Sequence, residues 1–147
     1  MKVLHIICKG DLIMFDTEEM LVKTSIPCLM ELFKISEKDI MFEVEGFFGR
    51  PDVVVNTGSI IAIEYKLSNW SRALKQAYRY KCFADMSYVF LDKKYIHRAI
   101  NNIEEFKNYN IGLSSIDDNG KISIIYKPFE EKLYLDYLKD KAISLFA

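Results

Sequence analysis

Two apolar runs near the middle of the chain stand out from their surroundings. Residues 52–55 and 60–66 are rich in valine and isoleucine, and Asn56, Thr57 and Gly58 separate them. Near-continuous β-branched runs of this length are typical of strands that are covered on both faces of a sheet. A break containing Asn and Gly predicts a tight turn. We therefore expect an antiparallel strand pair at the centre of the fold.

Helical periodicity flanks this pair on both sides. Asp16 and Thr17 are good helix N-caps, and the apolar positions after them recur at helical spacing until the helix ends near residues 34–36. Pro27 lies inside this pattern, so a kink or a restart of the helix is expected there. A second helix is predicted over residues 70–83, with its buried positions on one stripe.

The remaining elements are shorter and complete an α/β pattern. They are a half-exposed strand over residues 40–48, a strand over 87–91, a helix over 95–107, a hairpin of strands 111–116 and 121–126, and a final helix over 130–146. The hairpin is indicated by an Asp-Asp-Asn-Gly turn. The predicted order is helix, three strands, helix, strand, helix, two strands and helix. The simplest packing of these elements is a mixed sheet flanked by helices.

The first fifteen residues allow two interpretations. Residues 3–8 and 12–15 form a hairpin about Gly10, or the segment is a poorly ordered leader that precedes the domain. Gly10 and Asp11 cut the apolar run and no small-residue cleavage site follows, so a signal peptide is not indicated. We favour the leader, with residues 16–147 as a single domain.

Composition narrows the classes of function. The chain has 147 residues, of which half are apolar and 28% charged, and its formal net charge is −1. A nucleic-acid partner would therefore need a local basic patch rather than a global excess of positive charge. Three scattered cysteines argue against a disulfide framework and favour a reducing, cytoplasmic setting. No apolar run is long enough to indicate a transmembrane helix, so no membrane partner is expected.

Three charged residues interrupt the central strand pair and form the candidate site. Asp52 begins the first strand, while Glu64 and Lys66 lie at the end of the second. Side chains alternate along a strand, so Glu64 and Lys66 share a face, and antiparallel pairing brings Asp52 to the same end of the sheet. Two adjacent carboxylates repel each other unless a cation joins them, and Mg²⁺ (or Mn²⁺) is the usual hard cation for such a pair.

The residue types at this position suit hydrolysis of a phosphodiester. A metal held by Asp52, Glu64 and the backbone carbonyl of Tyr65 would activate a water molecule. Lys66 would orient that water or neutralise the developing charge. In most chains such charged groups are simply solvated surface. Here the apolar strands around them make an unpartnered pair of carboxylates costly, which favours a site.

The same residues resemble a known signature. Pro51 and Asp52, followed after a gap of eleven residues by Glu64, Tyr65 and Lys66, resemble the PD-(D/E)xK signature of the restriction-endonuclease-like nuclease superfamily. The paired strands on which they lie give that short signature a fitting context.

The segment after the second strand extends the resemblance. Gln76 and Tyr80 are similar to the QxxxY motif of the lambda-exonuclease and recombination-nuclease branch, and the acidic first helix is similar to that of archaeal Holliday junction resolvases. The resemblance covers residues 16–91 and implies a core of a helix, three strands, a helix and a strand (αβββαβ). The C-terminal hairpin and helix are then additions of the kind that vary within the superfamily.

The resemblance also implies roles for individual residues. Asp52 and Glu64 match its metal ligands, and Lys66 matches its catalytic lysine. Gln76 and Tyr80 match the residues that help to position the nucleic acid and the active site.

A further acidic metal ligand is expected from outside the strand pair. Glu18 precedes Leu21 and Val22 with the spacing seen in resolvase-like members, so it is preferred to Glu19. Glu43 on the first strand is a rival for the same role.

A basic stripe follows on the second helix. Arg72, Lys75 and Arg79 are three and four residues apart and therefore lie on one face. The stripe is either a solvated face or a contact for the phosphate backbone, and its position beside the candidate metal site favours the contact. Tyr80 likewise is either a core residue of the helix or part of the site.

These observations predict a Mg²⁺- or Mn²⁺-dependent nuclease that hydrolyses DNA. Two alternatives share the fold: a catalytically silent module that binds nucleic acid or a protein partner, and an RNA-processing endonuclease. A purely structural domain is the remaining alternative. With 147 residues and no separate DNA-reading domain, the chain is expected to act as a homodimer or with a larger protein partner.

Overall fold

A mixed β-sheet is the centre of the molecule. The computed structural model describes residues 5–6, 13–14, 17–46 and 49–147 of the chain. Its strands are β1 (His5–Ile6), β2 (Ile13–Met14), β3 (Ile40–Phe42), β4 (Val53–Asn56), β5 (Ile60–Lys66), β6 (Met86–Asp92), β7 (Gly112–Ile116) and β8 (Ile122–Tyr126). Its α-helices are α1 (Glu18–Phe33), α2 (Trp70–Arg79), α3 (Ile96–Asn101), α4 (Ile103–Tyr109) and α5 (Asp136–Ser144).

Six strands form the main sheet, in the order β3-β4-β5-β6-β7-β8. The first three are an antiparallel meander, β6 and β7 continue parallel to β5, and β8 returns antiparallel. Helix α2 connects β5 to β6, and α3 and α4 connect β6 to β7, because parallel neighbours require crossover connections. The molecule is therefore an α/β structure with a mixed sheet flanked by helices, as the sequence predicts.

The central strand pair, β4 and β5, has the predicted antiparallel register. Val53 lies opposite Ile63 and Asn56 lies opposite Ile60. The turn between the strands contains Gly58 at a φ of +99°. Because the turn is so short, it leaves little freedom in the register, and the start of β4 is held beside the end of β5.

Helices cover both faces of the sheet. On one face, α1 packs through Leu21 and Leu29 against Tyr65 and Phe90. On the other face, α2, α4 and α5 bury the remaining apolar residues of the strands. Coverage of both faces explains why β4 and β5 carry so few polar positions. It also means that the charged groups at their end lie at the margin of an apolar interior.

Helix α1 continues through Pro27 and neither stops nor restarts there. Thr17 caps the helix by accepting a hydrogen bond from the Met20 amide at 3.2 Å. The Ser25 and Tyr65 hydroxyls are hydrogen-bonded at 2.8 Å, while Pro27 itself is exposed. The predicted restart is wrong because buried contacts on both sides of the proline hold the helix against the sheet.

Strand β3 is shorter than the predicted strand over residues 40–48. It ends at Phe42 because Glu43 adopts a left-handed backbone conformation, with φ of +48°, which interrupts the extended strand. Residues 47–48 lie outside the described residues. The connection from β3 to β4 is therefore a loop rather than an extension of the strand.

The later helices also depart from their predicted bounds. The helix predicted after β6 is divided at Asn102 into α3 and α4. The C-terminal helix begins only at Asp136, because the amide of Glu131 donates to the carbonyl of Asp85 at 3.1 Å rather than to a helical partner. Among the helices described, none has the length and apolarity that crossing a bilayer requires.

Strands β1 and β2 form a separate two-stranded ladder near the start of the chain. His5 lies opposite Met14 and Ile6 lies opposite Ile13, which is the pairing that the hairpin interpretation requires. The turn predicted about Gly10 and the order of the leader fall outside the described residues, so both interpretations stay predictions.

Candidate functional site

The start of β4 and the end of β5 bring two acidic residues together. Asp52 directly precedes β4 and accepts a hydrogen bond on Oδ2 from the backbone amide of Tyr65 at 2.8 Å. The register that pairs Val53 with Ile63 makes Glu64 the residue beside Asp52 at the same sheet end. The Asp52 carboxylate thus accepts the hydrogen bond that a backbone carbonyl of a neighbouring strand would otherwise accept, and this bond fixes it against β5.

Glu64 is a buried carboxylate with two partners. Its side chain is only 3% exposed. The hydroxyl of Tyr80, which follows α2, donates to Glu64 Oε1 at 2.6 Å. The ammonium of Lys66 lies 3.6 Å from Glu64 Oε2. A hydroxyl from the helical layer and an ammonium from the same strand therefore hold this carboxylate in place.

Helix α1 contributes Glu18 to the same cluster. Its Oε1 lies 3.9 Å from the Lys66 ammonium, so Lys66 contacts Glu64 and Glu18 at once. Glu18 is the first residue of α1, which places it at the end of the helix that faces the site. Asp52, Glu64, Lys66 and Glu18 are therefore brought together, and Glu18 joins the group through the lysine.

The electrostatics of the cluster follow from burial. Burial raises the pKa of Glu64 to about 7, and the negative charge of Asp52 adds to the rise. The Tyr80 hydroxyl and the Lys66 ammonium act in the opposite direction. Burial likewise raises the pKa of Asp52, against the Tyr65 amide and the Lys66 charge, which lower it. The pair of carboxylates thus has more negative charge than one nearby ammonium stabilises.

The oxygen atoms of the two carboxylates suit a hard divalent cation. The Tyr65 amide donates to Oδ2 of Asp52 and the Tyr80 hydroxyl donates to Oε1 of Glu64, while Oε2 of Glu64 lies 3.6 Å from the Lys66 ammonium. Mg²⁺ is commonly bound through one or two carboxylates and keeps several waters. Within the described ranges, no three His, Cys, Asp or Glu side chains are gathered as a metal-binding group. The fit therefore rests on Asp52 and Glu64, with Glu18 turned towards Lys66.

Tyr80 and Gln76 occupy different environments on the helix that follows β5. Tyr80 is 1% exposed, and burial together with Glu64 raises the pKa of its hydroxyl, so it remains a protonated donor. One turn earlier, the Oε1 atom of Gln76 is buried and makes no hydrogen bond in the described part of the chain. Tyr80 thus contacts the carboxylate directly, and a contact of Gln76 or Tyr80 with nucleic acid stays a prediction.

The three residues of the basic stripe of α2 are exposed, and the stripe extends away from the cluster. Arg72 lines a small recess of about 270 Å³ together with Lys66 and Glu18. Lys75 and Arg79 line a different cleft, between α2 and α4. The stripe therefore borders the site at one end only. Whether it contacts phosphate stays a prediction.

A larger cleft opens on the other side of Asp52, between α1 and the β3–β4 loop. Its volume is about 640 Å³, and it is lined by Glu18, Glu19, Val22, Lys23, Ile26, Phe42, Glu43 and Asp52. Phe42 is 53% exposed, an aromatic side chain that sequence reasoning did not single out. The sequence pattern could not mark it, because the strand predicted over residues 40–48 places Phe42 within the strand rather than at its end. Glu19 and Glu43, the two rival acids, lie at this cleft.

Comparisons of the chain with models of known families, with curated proteins and with solved structures returned no match.

Proposed function

We propose that the protein is a divalent-metal-dependent nuclease that hydrolyses DNA phosphodiester bonds. The observation that carries the proposal is the meeting of Asp52, Glu64 and Lys66 at one end of β4 and β5, with Glu64 buried. The element order supports it. A helix, three strands, a helix and a strand follow one another from α1 to β6, which is the element order that the resemblance to a restriction-endonuclease-like core implies.

Each side chain of the cluster has a role in this proposal. Asp52 and Glu64 would hold Mg²⁺ or Mn²⁺, which lowers the pKa of bound water and stabilises charge on a phosphate under attack. Lys66 lies beside Glu64, where its ammonium can orient water or neutralise negative charge. Glu18 holds Lys66 from the other side, and Tyr80 fixes the orientation of Glu64.

A second candidate function is a module on the same scaffold that binds nucleic acid or a protein without cutting. One observation favours it: Lys66 contacts both Glu64 and Glu18, so part of the negative charge is balanced without a metal. The two candidates differ in what the carboxylates are needed for. A nuclease requires them for cleavage, whereas binding by a silent module is indifferent to Glu64.

Cleavage assays separate the candidates. The chain is incubated with single-stranded, duplex and branched DNA and with RNA, in Mg²⁺, in Mn²⁺ and in EDTA. We expect metal-dependent cleavage of DNA that falls about 100-fold or more in Asp52→Asn and in Lys66→Met. Asp140→Asn and Lys127→Met, at exposed positions elsewhere, are the matched controls and should cleave normally.

The possible results are distinct. Preferential cleavage of RNA would indicate that the protein is an RNA-processing endonuclease rather than a DNA nuclease. Absence of metal-dependent cleavage of every substrate, together with nucleic-acid binding that Glu64→Gln leaves unchanged, would replace the nuclease by the silent module.

A further inference from the structure

A second surface of the molecule, separate from the acidic cluster, combines aromatic rings with positive charge. It is a cleft of about 380 Å³ between α2 and α4, which we call the aromatic cleft. Its wall is formed by Trp70, Tyr78 and Tyr109, with Lys75 and Arg79 at its margin. Glu105 also lines it and is the acidic member of the set. Its residues come from two helices that are distant in sequence.

Two tyrosines of the aromatic cleft form a preorganised platform. Tyr78 and Tyr109 are 48% and 49% exposed, and their rings meet edge to face with centroids 5.2 Å apart. The end of α4 is anchored, because the buried ammonium of Lys81 donates to the Tyr109 carbonyl at 3.1 Å. Trp70 packs at a tilt on Phe106, with 6.0 Å between ring centroids. The platform is thus rigid and open to solvent, which is the state in which stacking costs least ordering entropy.

Three cations of α2 lie in a row beside the platform. Arg72, Lys75 and Arg79 are exposed, and in the described part of the chain none of their side chains lies within ion-pair distance of a carboxylate. By contrast, Lys107 on α4 pairs with Glu104 at 3.7 Å. Exposed cations in a row at helical spacing attract a chain of phosphates, and this attraction does not depend on base sequence.

We propose that the aromatic cleft binds single-stranded nucleic acid. Bases stack on Tyr78, Tyr109 and Trp70, while Lys75 and Arg79 contact phosphates. A duplex keeps its bases stacked on one another, so their faces do not reach the tyrosines, and the cleft therefore selects single strands. The charge complementarity between the cations and phosphates favours nucleic acid over a segment of protein as the occupant.

The direction of the bound strand rests on the proposed function. Arg72 continues the row of cations from the aromatic cleft and lines the recess that it shares with Lys66. A strand held on the tyrosines and passing along α2 would therefore lead to the acidic cluster. The substrate class that follows is DNA with a single-stranded segment next to the bond that is cut.

Trp70 provides a direct test, because it is the only tryptophan of the chain and lines the cleft. Its fluorescence is followed while oligo-dT of about twelve nucleotides, a length within the range of single-strand sites, is added to the full chain in EDTA. We expect saturable quenching. A duplex of the same length should give at least roughly tenfold weaker binding, since its bases are not available for stacking.

Variants separate the contribution of base stacking from that of phosphate contacts. Tyr78→Ala with Tyr109→Ala should weaken binding by at least about 30-fold, while Tyr78→Phe should retain it. Tyr137→Ala on α5 serves as the exposed control. Lys75→Ala with Arg79→Ala should reduce the slope of log affinity against log salt by roughly 1.4, as expected for two lost phosphate contacts to a single strand. Lys127→Ala should leave that slope unchanged.

Three results would overturn the inference: no change in Trp70 fluorescence, equal affinity for duplex, or wild-type affinity in the double tyrosine variant. The first would point instead to a protein segment as the occupant. Circular dichroism of each variant confirms that it is folded. Because binding is measured without metal, failure of the nuclease proposal does not remove the binding. Conversely, metal-dependent cleavage without oligo-dT binding would contradict single-strand binding in the aromatic cleft, while the nuclease proposal would stand.

Discussion

Glu64 is the residue of the site whose ionised form is most costly to bury. It is almost fully buried beside a second carboxylate, and among the described residues one hydroxyl and one ammonium stabilise its charged form. Burying a charge without full compensation is costly, and residues of this kind cluster where a ligand supplies what is missing. The cost should therefore be measurable as a loss of stability when Glu64 is ionised.

We predict that Glu64→Gln is more stable than the wild type at about pH 8, by at most about 3.4 kcal/mol, because burial raises the pKa of Glu64 from 4.5 to about 7. A carboxyl with a raised folded-state pKa stabilises the protein fully below its ordinary pKa of 4.5, and this stabilisation is lost as the pH rises through about 7. The advantage of the variant should therefore shrink as the pH falls from 8 to 5.

Urea denaturation at several pH values measures this difference. Glu104→Gln, at an exposed position, is the control and should stay within about 0.5 kcal/mol of the wild type throughout. A Glu64→Gln variant that is less stable than the wild type at pH 8 would mean that Lys66 and Tyr80 fully stabilise the charge.

Tyr80→Phe tests the hydrogen bond to the same carboxylate. A hydroxyl that donates to Glu64 favours the ionised form, so its removal should raise the pKa of Glu64 further. The rising limb of the pH profile of cleavage should move to higher pH by about one unit, which corresponds to the net energy of one hydrogen bond. Tyr78→Phe, at an exposed position on α2, should leave the profile in place. A lower rate with an unmoved profile would indicate a purely structural role for Tyr80.

At the scale of elements, the position of α1 decides whether Glu18 reaches Lys66. The helix is held at its middle by the hydrogen bond between Ser25 and Tyr65, and by the β7–β8 turn. In that turn, Gly120 packs directly on the Thr24 backbone. A contact far from the site along the helix thus fixes the placement of an acidic residue in the site.

Alanine substitutions at Gly58 and Gly120 distinguish the cost of a steric clash from the cost of backbone strain. Both have positive φ, +79° at Gly120 and +99° at Gly58. A Cβ at Gly120 would lie 2.1 Å from the Thr24 carbonyl oxygen, whereas a Cβ at Gly58 meets nothing within 4 Å. We predict that Gly58→Ala costs roughly 1–2 kcal/mol, the cost of a left-handed conformation alone. Gly120→Ala should cost at least about 2 kcal/mol more, because the turn must also move away from α1.

Urea denaturation of the two variants gives the comparison. Equal losses of stability would show that the β7–β8 turn yields without cost and does not hold α1.

At the scale of the whole molecule, the central strand pair and its charged end could be predicted from the sequence. A short turn fixes the register of β4 and β5, and alternation then determines that Asp52, Glu64 and Lys66 meet. The same local reasoning could not foresee that Glu43 interrupts the extended strand, since nothing in an apolar-polar pattern encodes a left-handed residue.

Contacts between side chains that are distant in the sequence also could not be predicted. The edge-to-face pair of Tyr78 and Tyr109 joins α2 to α4, and sequence spacing carries no information on that pairing. The contact of Glu18 with Lys66 likewise joins distant elements, and spacing does not encode it. The role of Glu18 as a metal ligand stays a prediction. Periodicity predicts which face of an element is buried, but not which side chains meet across elements.

The most direct test of the proposed site is a crystal structure of the protein with Mn²⁺ at about pH 8, above the pKa of Glu64, so that both carboxylates are ionised. We predict an anomalous difference peak between Asp52 and Glu64 that disappears in Glu64→Gln. A Mn²⁺-soaked crystal with no peak at these carboxylates, and with Lys66 still contacting Glu64 and Glu18, would contradict the metal site and with it the proposed mechanism of hydrolysis.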